Sequence, residues 1–183
     1  MNSFELHRIE SAPVGSASTL ETVLKSFGFT PNIFVALAES PSAVKAYLQL
    51  GNLMEESAFT PVEQQVIFLA VNVENDCAYC VAAHSFVARN VAKASPETID
   101  ALRSNGVLPD AKLNALAEFT RAVVRKRGWV AGSQELKDFL AAGYTQQHML
   151  EVVLGVAMKT LSNYVNHITD TPVDAVFAGE VWR

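Results

Sequence analysis

Apolar positions recur every three to four residues along most of this chain. Val62, Val66, Leu69 and Val73 form one such stripe, and Leu113, Leu116, Thr120 and Val123 approximate another. That spacing collects the side chains on one face of an α-helix. No run alternates with period two for long enough to suggest a strand. The segment from about Gln146 to Ile168 is apolar on most of its circumference, which predicts a central helix packed on several sides.

Prolines and glycines punctuate these stripes. Thr30-Pro31, Ser40-Pro41, Thr60-Pro61, Ser95-Pro96 and Thr171-Pro172 each place a hydroxyl at a candidate N-cap and a proline at the first helical position. Thr60 with Glu63 reads as a capping box, and Thr171 with Asp174 as a weaker relative of one. Gly28, Gly106, Gly128 and Gly143 fall where helices should stop. The expected fold is all-α, with about nine or ten helices starting near residues 19, 32, 41, 61, 77, 96, 110, 134, 146 and 172. Residues 1–16 read as an arm and 17–183 as a single domain.

Composition adds a second expectation. Half of the 183 residues are hydrophobic and 18% are charged, rich in apolar residues for a water-exposed protein of this size. Either the interior is large or some surface is covered by other subunits, and both are expected. The net charge of −5 excludes nucleic acid as the main partner, because phosphate neutralisation needs clustered Lys and Arg. The densest basic cluster, Arg121, Arg125, Lys126 and Arg127, suits a helix C-terminus instead. Met1 to Gly15 lacks the apolar run of a signal peptide, and no stretch reaches the roughly 20 apolar residues of a membrane span. The expected location is the cytoplasm, without membrane contact.

The candidate chemistry lies in Cys77-Ala78-Tyr79-Cys80-Val81-Ala82-Ala83-His84. Two cysteines two residues apart, without an export signal, point to redox chemistry or metal binding rather than a structural staple. With Asn75 or Asp76 as cap, a helix beginning near Cys77 puts Cys77, Cys80 and His84 within roughly 60° of one another. Cys77 in the first turn would have its thiolate stabilised by free N–H groups and the helix dipole. His84 is placed to take or give a proton, and a dithiol beside a base can form and resolve an oxidised sulfur. Zinc competes for the same Cys, Cys and His, although His7, His148 and His167 show no spacing that supplies a fourth ligand. Two buried cysteines with a core histidine are the bland alternative. Spacing alone leaves open which sulfur attacks. Trp129 and Trp182 read as packing anchors, and His167 as a cap or interface residue.

Phe59-Thr60-Pro61-Val62-Glu63-Gln64-Gln65-Val66, followed by Val73-Glu74-Asn75-Asp76 and the cysteine segment to Ser85, resembles the core of the carboxymuconolactone decarboxylase superfamily, and within it the AhpD-like alkylhydroperoxidases. The core motif spans 59–94, and Leu161 to Ile168 resembles the family's final core helix. The resemblance implies an all-helical AhpD-like bundle assembled as a trimer or hexamer. It also implies that Cys80 attacks peroxide, that Cys77 resolves the product, and that a glutamate, the first cysteine and the histidine relay protons. The glutamate's position, twelve residues before the first cysteine, holds Gln65 here, which cannot exchange a proton at neutral pH. Glu74 is the candidate substitute, while Glu63 is explained by capping. Tyr79 stands where the best-known relatives carry a histidine, and is expected to pack or line the pocket entrance.

The expected activity is thiol-dependent peroxide reduction by the dithiol and His84, acting on a hydroperoxide and re-reduced by a thioredoxin-like or lipoylated dithiol protein, with no cofactor and no metal. Carboxymuconolactone decarboxylation, an acid–base reaction with no need for two thiols, is one alternative. A redox sensor or scaffold without turnover is the other.

Overall fold

The computed structural model describes residues 4–183, and every regular element among them is helical. Residues 1–3 of the expected arm lie outside the described residues. The order is α1 (Val14–Phe27), α2 (Asn32–Leu37), α3 (Pro41–Glu55), α4 (Pro61–Glu74), α5 (Ala78–Asn90), α6 (Pro96–Arg103), α7 (Ala111–Arg125), α8 (Gln134–Ala141) and α9 (Gln146–Thr169), then a 3-10 turn at Ala175–Glu180. No helix among the described residues is long and apolar enough to cross a membrane.

Local capping explains most starts. Ser40, Thr60 and Ser95 each accept the N–H three residues on, with proline in the first turn. Thr60 and Glu63 close the expected capping box, and Glu63 also accepts the Tyr144 hydroxyl at 2.9 Å. His148 completes a second box with Thr145 and sits half-buried at the start of α9.

Two expected starts are displaced, and a third, at residue 32, holds with a different cap. Helix α1 begins at Val14 rather than near 19, because Pro13 presets the backbone at its N-cap, so 14–16 are helical. Thr30 does not cap α2. Pro31 holds the N-cap position, and the Asp174 carboxylate accepts the Asn32 N–H at 3.2 Å from the other end of the chain. Asp174 also accepts the Tyr79 hydroxyl at 2.6 Å. These tertiary bonds take it away from Thr171, and the helix expected near 172 is only the 3-10 turn.

The largest correction concerns the centre of the bundle. The helix buried all round is α4, in which every residue from Glu63 to Val73 is enclosed, with α5, α7 and α9 packed against it. Helix α9 does pack against several helices, α2, α3, α4, α5 and α7, but leaves one stripe, with Leu150, Val153, Tyr164 and Ile168, exposed. At the crossing, a Cβ on Gly155 would sit 2.7 Å from Ile67 Cγ2, so glycine sets how closely α9 approaches α4. The basic cluster lies at the C-terminus of α7 as expected, and side chains from it also make ion pairs. Arg121 is buried against Glu118 and the Gly106 carbonyl, Arg125 pairs with Glu74, and Lys126 with Glu135. Trp182 packs on the core and donates to the Arg103 carbonyl, whereas Trp129 is 87% exposed and anchors nothing.

Candidate thiol site

The α4–α5 junction builds the site. Asn75 ends α4, Asp76 takes a left-handed φ of 56°, and the Cys77 N–H turns back to the Asn72 carbonyl at 3.0 Å. Cys77 is therefore itself the N-cap of α5, in place of Asn75 or Asp76. The reversal is braced by amides: Asn72 Nδ2 donates to the Cys80 carbonyl, Asn163 Nδ2 to Asn72 Oδ1, and Asn75 Nδ2 to Asn163 Oδ1.

Both cysteines are free thiols and both are buried. Cys80 lines a cavity of about 210 Å³ walled by Phe34, Tyr47, Phe68, Tyr79 and Phe177, while Cys77 stays behind it. Asn166 Nδ2 donates to Cys80 Sγ at 3.1 Å and reaches Cys77 Sγ at 3.8 Å, and Ser162 Oγ lies 3.7 Å from the Cys80 sulfur. Burial opposes ionisation of Cys80. The Cys77 hydrogen bond, the Lys159 charge and contacts with Ser162 and Asn163 outweigh it and bring this thiol down to about 5. Cys77 moves the other way, pushed up by its hydrogen bond to Cys80, by burial and by the Cys80 charge. The advantage expected for a thiol in the first turn is thus reversed. As N-cap, Cys77 spends its S–H on Cys80.

Behind Cys80 runs a chain of polar contacts. Lys159 Nζ is 2.8 Å from His84 Nε2 and 3.4 Å from the Tyr47 hydroxyl, and His84 Nδ1 is 2.9 Å from Gln65 Oε1. Burial, then the Lys159 charge, hold the His84 imidazole well below its usual range, so it is neutral. An ammonium can only donate. His84 Nε2 must therefore accept from it, and the ring proton on Nδ1 is donated to Gln65 Oε1. Phe68 packs on the imidazole, with ring centroids 4.9 Å apart.

The structure brings Cys77, Cys80, His84 and Gln65 together. Glu74 lies elsewhere: its carboxylate holds Arg125 Nε at 2.7 Å and accepts from Asn105. It lies past the last turn that faces the thiols, and two strong donors claim it on the α7 side. Tyr79 lines the cavity as expected and ties α5 to α2 by accepting the Ile33 N–H. His167 is exposed beside Tyr164, away from the cavity. Among the described residues, no three His, Cys, Asp or Glu side chains gather at metal-binding distance.

Sequence reasoning missed Lys159, Ser162, Asn163 and Asn166. All are buried on α9, and their spacing of three, four and seven residues puts them on one face. The available signal was the polar set itself. A lysine inside a helix otherwise apolar nearly all round needs a reason to be there.

Residues 41–123 match the model of the carboxymuconolactone decarboxylase family. The fold resembles an uncharacterized peroxidase-related protein from Ralstonia eutropha JMP134, described as an alkylhydroperoxidase AhpD core: TM-score 0.82, 21% identity, 95% of this chain and 93% of that one. A peroxidase-related protein from Silicibacter sp. TM1040 superimposes with TM-score 0.80 at 18% identity, over 98% of this chain and 94% of the other. A variant of the debrominase Bmp8 in complex with 2,3,4-tribromopyrrole does so with TM-score 0.79 at 15% identity, over 98% and 96%. A comparison with curated proteins finds no match.

Proposed function

With residues 41–123 matching the model of the carboxymuconolactone decarboxylase family and the described residues sharing the fold of an AhpD core, we propose that the protein is a thiol-dependent peroxidase working through Cys80 and Cys77. One observation carries this reading: of two adjacent free thiols, Cys80 lines an apolar cavity and receives the Asn166 amide N–H at 3.1 Å, while Cys77 stands behind it. The Cys80 thiolate attacks the terminal oxygen of a hydroperoxide. The O–O bond breaks, the sulfur is oxidised to sulfenic acid, and the remaining oxygen leaves with a proton as alcohol. Cys77 then attacks the sulfenic sulfur, water leaves, and a disulfide closes. An external dithiol returns two electrons by exchange, from a thioredoxin-like or lipoylated protein in the cell. No step calls for a cofactor.

The cavity lining contributes to the choice between reactions. Lactone decarboxylation is acid–base chemistry with no need for a thiol, and this lining includes Cys80 with Cys77 behind it. The aromatic walls favour a second reading of the same dithiol, reductive dehalogenation. There Cys80 takes the halogen from a haloarene, the ring carbon gains a proton, and Cys77 expels halide as the disulfide forms.

Consumption of an aryl-alkyl hydroperoxide with dithiothreitol as reductant tests the proposal. Many turnovers per chain are expected. Oxidation that stops after one equivalent of peroxide would contradict it and leave a sensor. Halide release from a bromopyrrole without peroxide turnover would favour the second reading.

A further inference from the structure

Lys159 is fully buried, at 0% exposure, and among the described residues its side-chain contacts are neutral: His84 Nε2, the Tyr47 hydroxyl and the rings of Tyr47 and Phe68 at 5.7 Å. An ammonium withdrawn from water loses several kcal/mol of hydration, and neutral acceptors return only part of it. A nearby anion is needed. Cys80, which lines the same cavity, is a group that can become one. Its sulfur already receives the Asn166 amide N–H, a contact that suits an anion.

We propose that Lys159 is the counter-ion that holds Cys80 as a thiolate, and the proton source for the oxygen that leaves when Cys80 is oxidised. The geometry behind His84 explains the second role. Its Nδ1 proton is committed to Gln65 and its Nε2 carries a lone pair, so the imidazole has no proton to offer the cavity. Lys159 has three protons, lines the cavity and presents one of them to His84. On peroxide cleavage Lys159 gives a proton to the departing alkoxide and becomes a neutral amine. Disulfide closure releases water with no net proton. Exchange with the dithiol then re-forms the Cys77 thiol and the Cys80 thiolate, and frees one proton, which returns Lys159 to ammonium. Gln65 fits this scheme as a neutral acceptor. A carboxylate there would compete with Cys80 for the cation.

The counter-ion role concerns the resting thiol and needs no substrate. Only the proton step rests on the peroxidase reading, so the two fail separately. The pH dependence of Cys80 alkylation by iodoacetamide, read by peptide mass spectrometry, tests the first role in wild type, Lys159→Met, Lys159→Arg and His84→Ala. Wild type is expected to react with a midpoint near 5. In Lys159→Met the midpoint rises toward that of a free cysteine, and the thiolate present at neutral pH falls by about 30-fold. Lys159→Arg restores the low midpoint but not peroxide turnover, because guanidinium does not give up its proton. His84→Ala keeps the low midpoint.

A folded Lys159→Met with the wild-type profile would overturn the counter-ion role. If neither Lys159 variant folds, the wild-type and His84→Ala profiles decide. A wild-type midpoint in the free-cysteine range, or one that moves there when His84 is removed, overturns it. Full turnover by Lys159→Arg would overturn the proton role.

Discussion

The two faces of α9 invert the usual arrangement. Its inner face carries Lys159, Ser162, Asn163 and Asn166 into the core, while its outer face offers Leu150 at 72% exposure, Val153, Tyr164 and Ile168 at 78% to solvent. Buried polar groups cost free energy unless each finds a partner. On the inner face Lys159 meets His84 and Tyr47, and Ser162 meets the Lys159 carbonyl and the Cys80 sulfur. Asn163 meets the amides of Asn72 and Asn75, and Asn166 Nδ2 the two sulfurs, while Asn166 Oδ1 has no partner among the described residues. The inner face is therefore organised around chemistry, at some cost to packing. The outer face has no such reason within one chain. An apolar stripe of this length points to cover by further copies, and we read it as the surface that would assemble the expected trimer or hexamer.

The strongest way to break the inner side of this comparison is to remove the sulfur it serves. Cys80→Ser is expected to reduce peroxide turnover to the rate of buffer with dithiol alone, while Cys77→Ser allows one oxidation per chain without disulfide; a peroxide-consumption assay reads both. Asn166→Ala removes the amide that donates to Cys80 Sγ, a hydrogen bond to a charged group worth about 1.5–3 kcal/mol. Its expected effect is a raised Cys80 titration midpoint and a slower reaction at neutral pH, seen in the alkylation profile.

On the outer side, Ile168→Asp should dissociate the assembly while leaving the melting temperature of the monomer nearly unchanged, since exposed substitutions rarely cost more than about 0.5 kcal/mol. Sedimentation velocity checks it, and a wild type that sediments as a monomer would show that the stripe has another use. A smaller effect is expected at the crossing. Gly155→Ala forces Ile67 aside at a cost of about 1–3 kcal/mol, partly offset by the better helix propensity of alanine, about 1 kcal/mol. Chemical denaturation reads the difference.

The direction of the pH response follows from the shifts. Cys80 has a depressed pKa, so its thiolate stabilises the fold above the unfolded thiol's value. That contribution is lost as the pH falls through about 5. Reactivity should fall over the same range.

Helix count, most helix starts and the clustering of Cys77, Cys80 and His84 were legible in the sequence because they are local, whereas Gln65 entered through the family resemblance. Ser and Thr caps act within three residues, and a CxxC with a histidine four further on needs only one helix and the turn before it. What was not legible depends on contacts across the chain. Asp174 is drawn from Thr171 to Asn32 and Tyr79, which lie about 140 and 95 residues away in sequence. The choice of α4 over α9 as the enclosed helix turns on which face meets the core, and apolar content alone does not settle that. Glu74 looked available from its closeness to the cysteines, and Arg125 claims it from a helix 51 residues on. Lys159 is 75 residues from His84, so its partner could not be read from spacing.

Cys80, held ionised where it lines the cavity, is the sulfur proposed to react. Trapping sulfenic acid with dimedone in Cys77→Ser and Cys80→Ser, after one equivalent of hydroperoxide, tests it directly. Rapid labelling is expected at residue 80 in Cys77→Ser, and none at residue 77 in Cys80→Ser. Labelling of Cys77 in Cys80→Ser, as fast as wild type is oxidised, would contradict it.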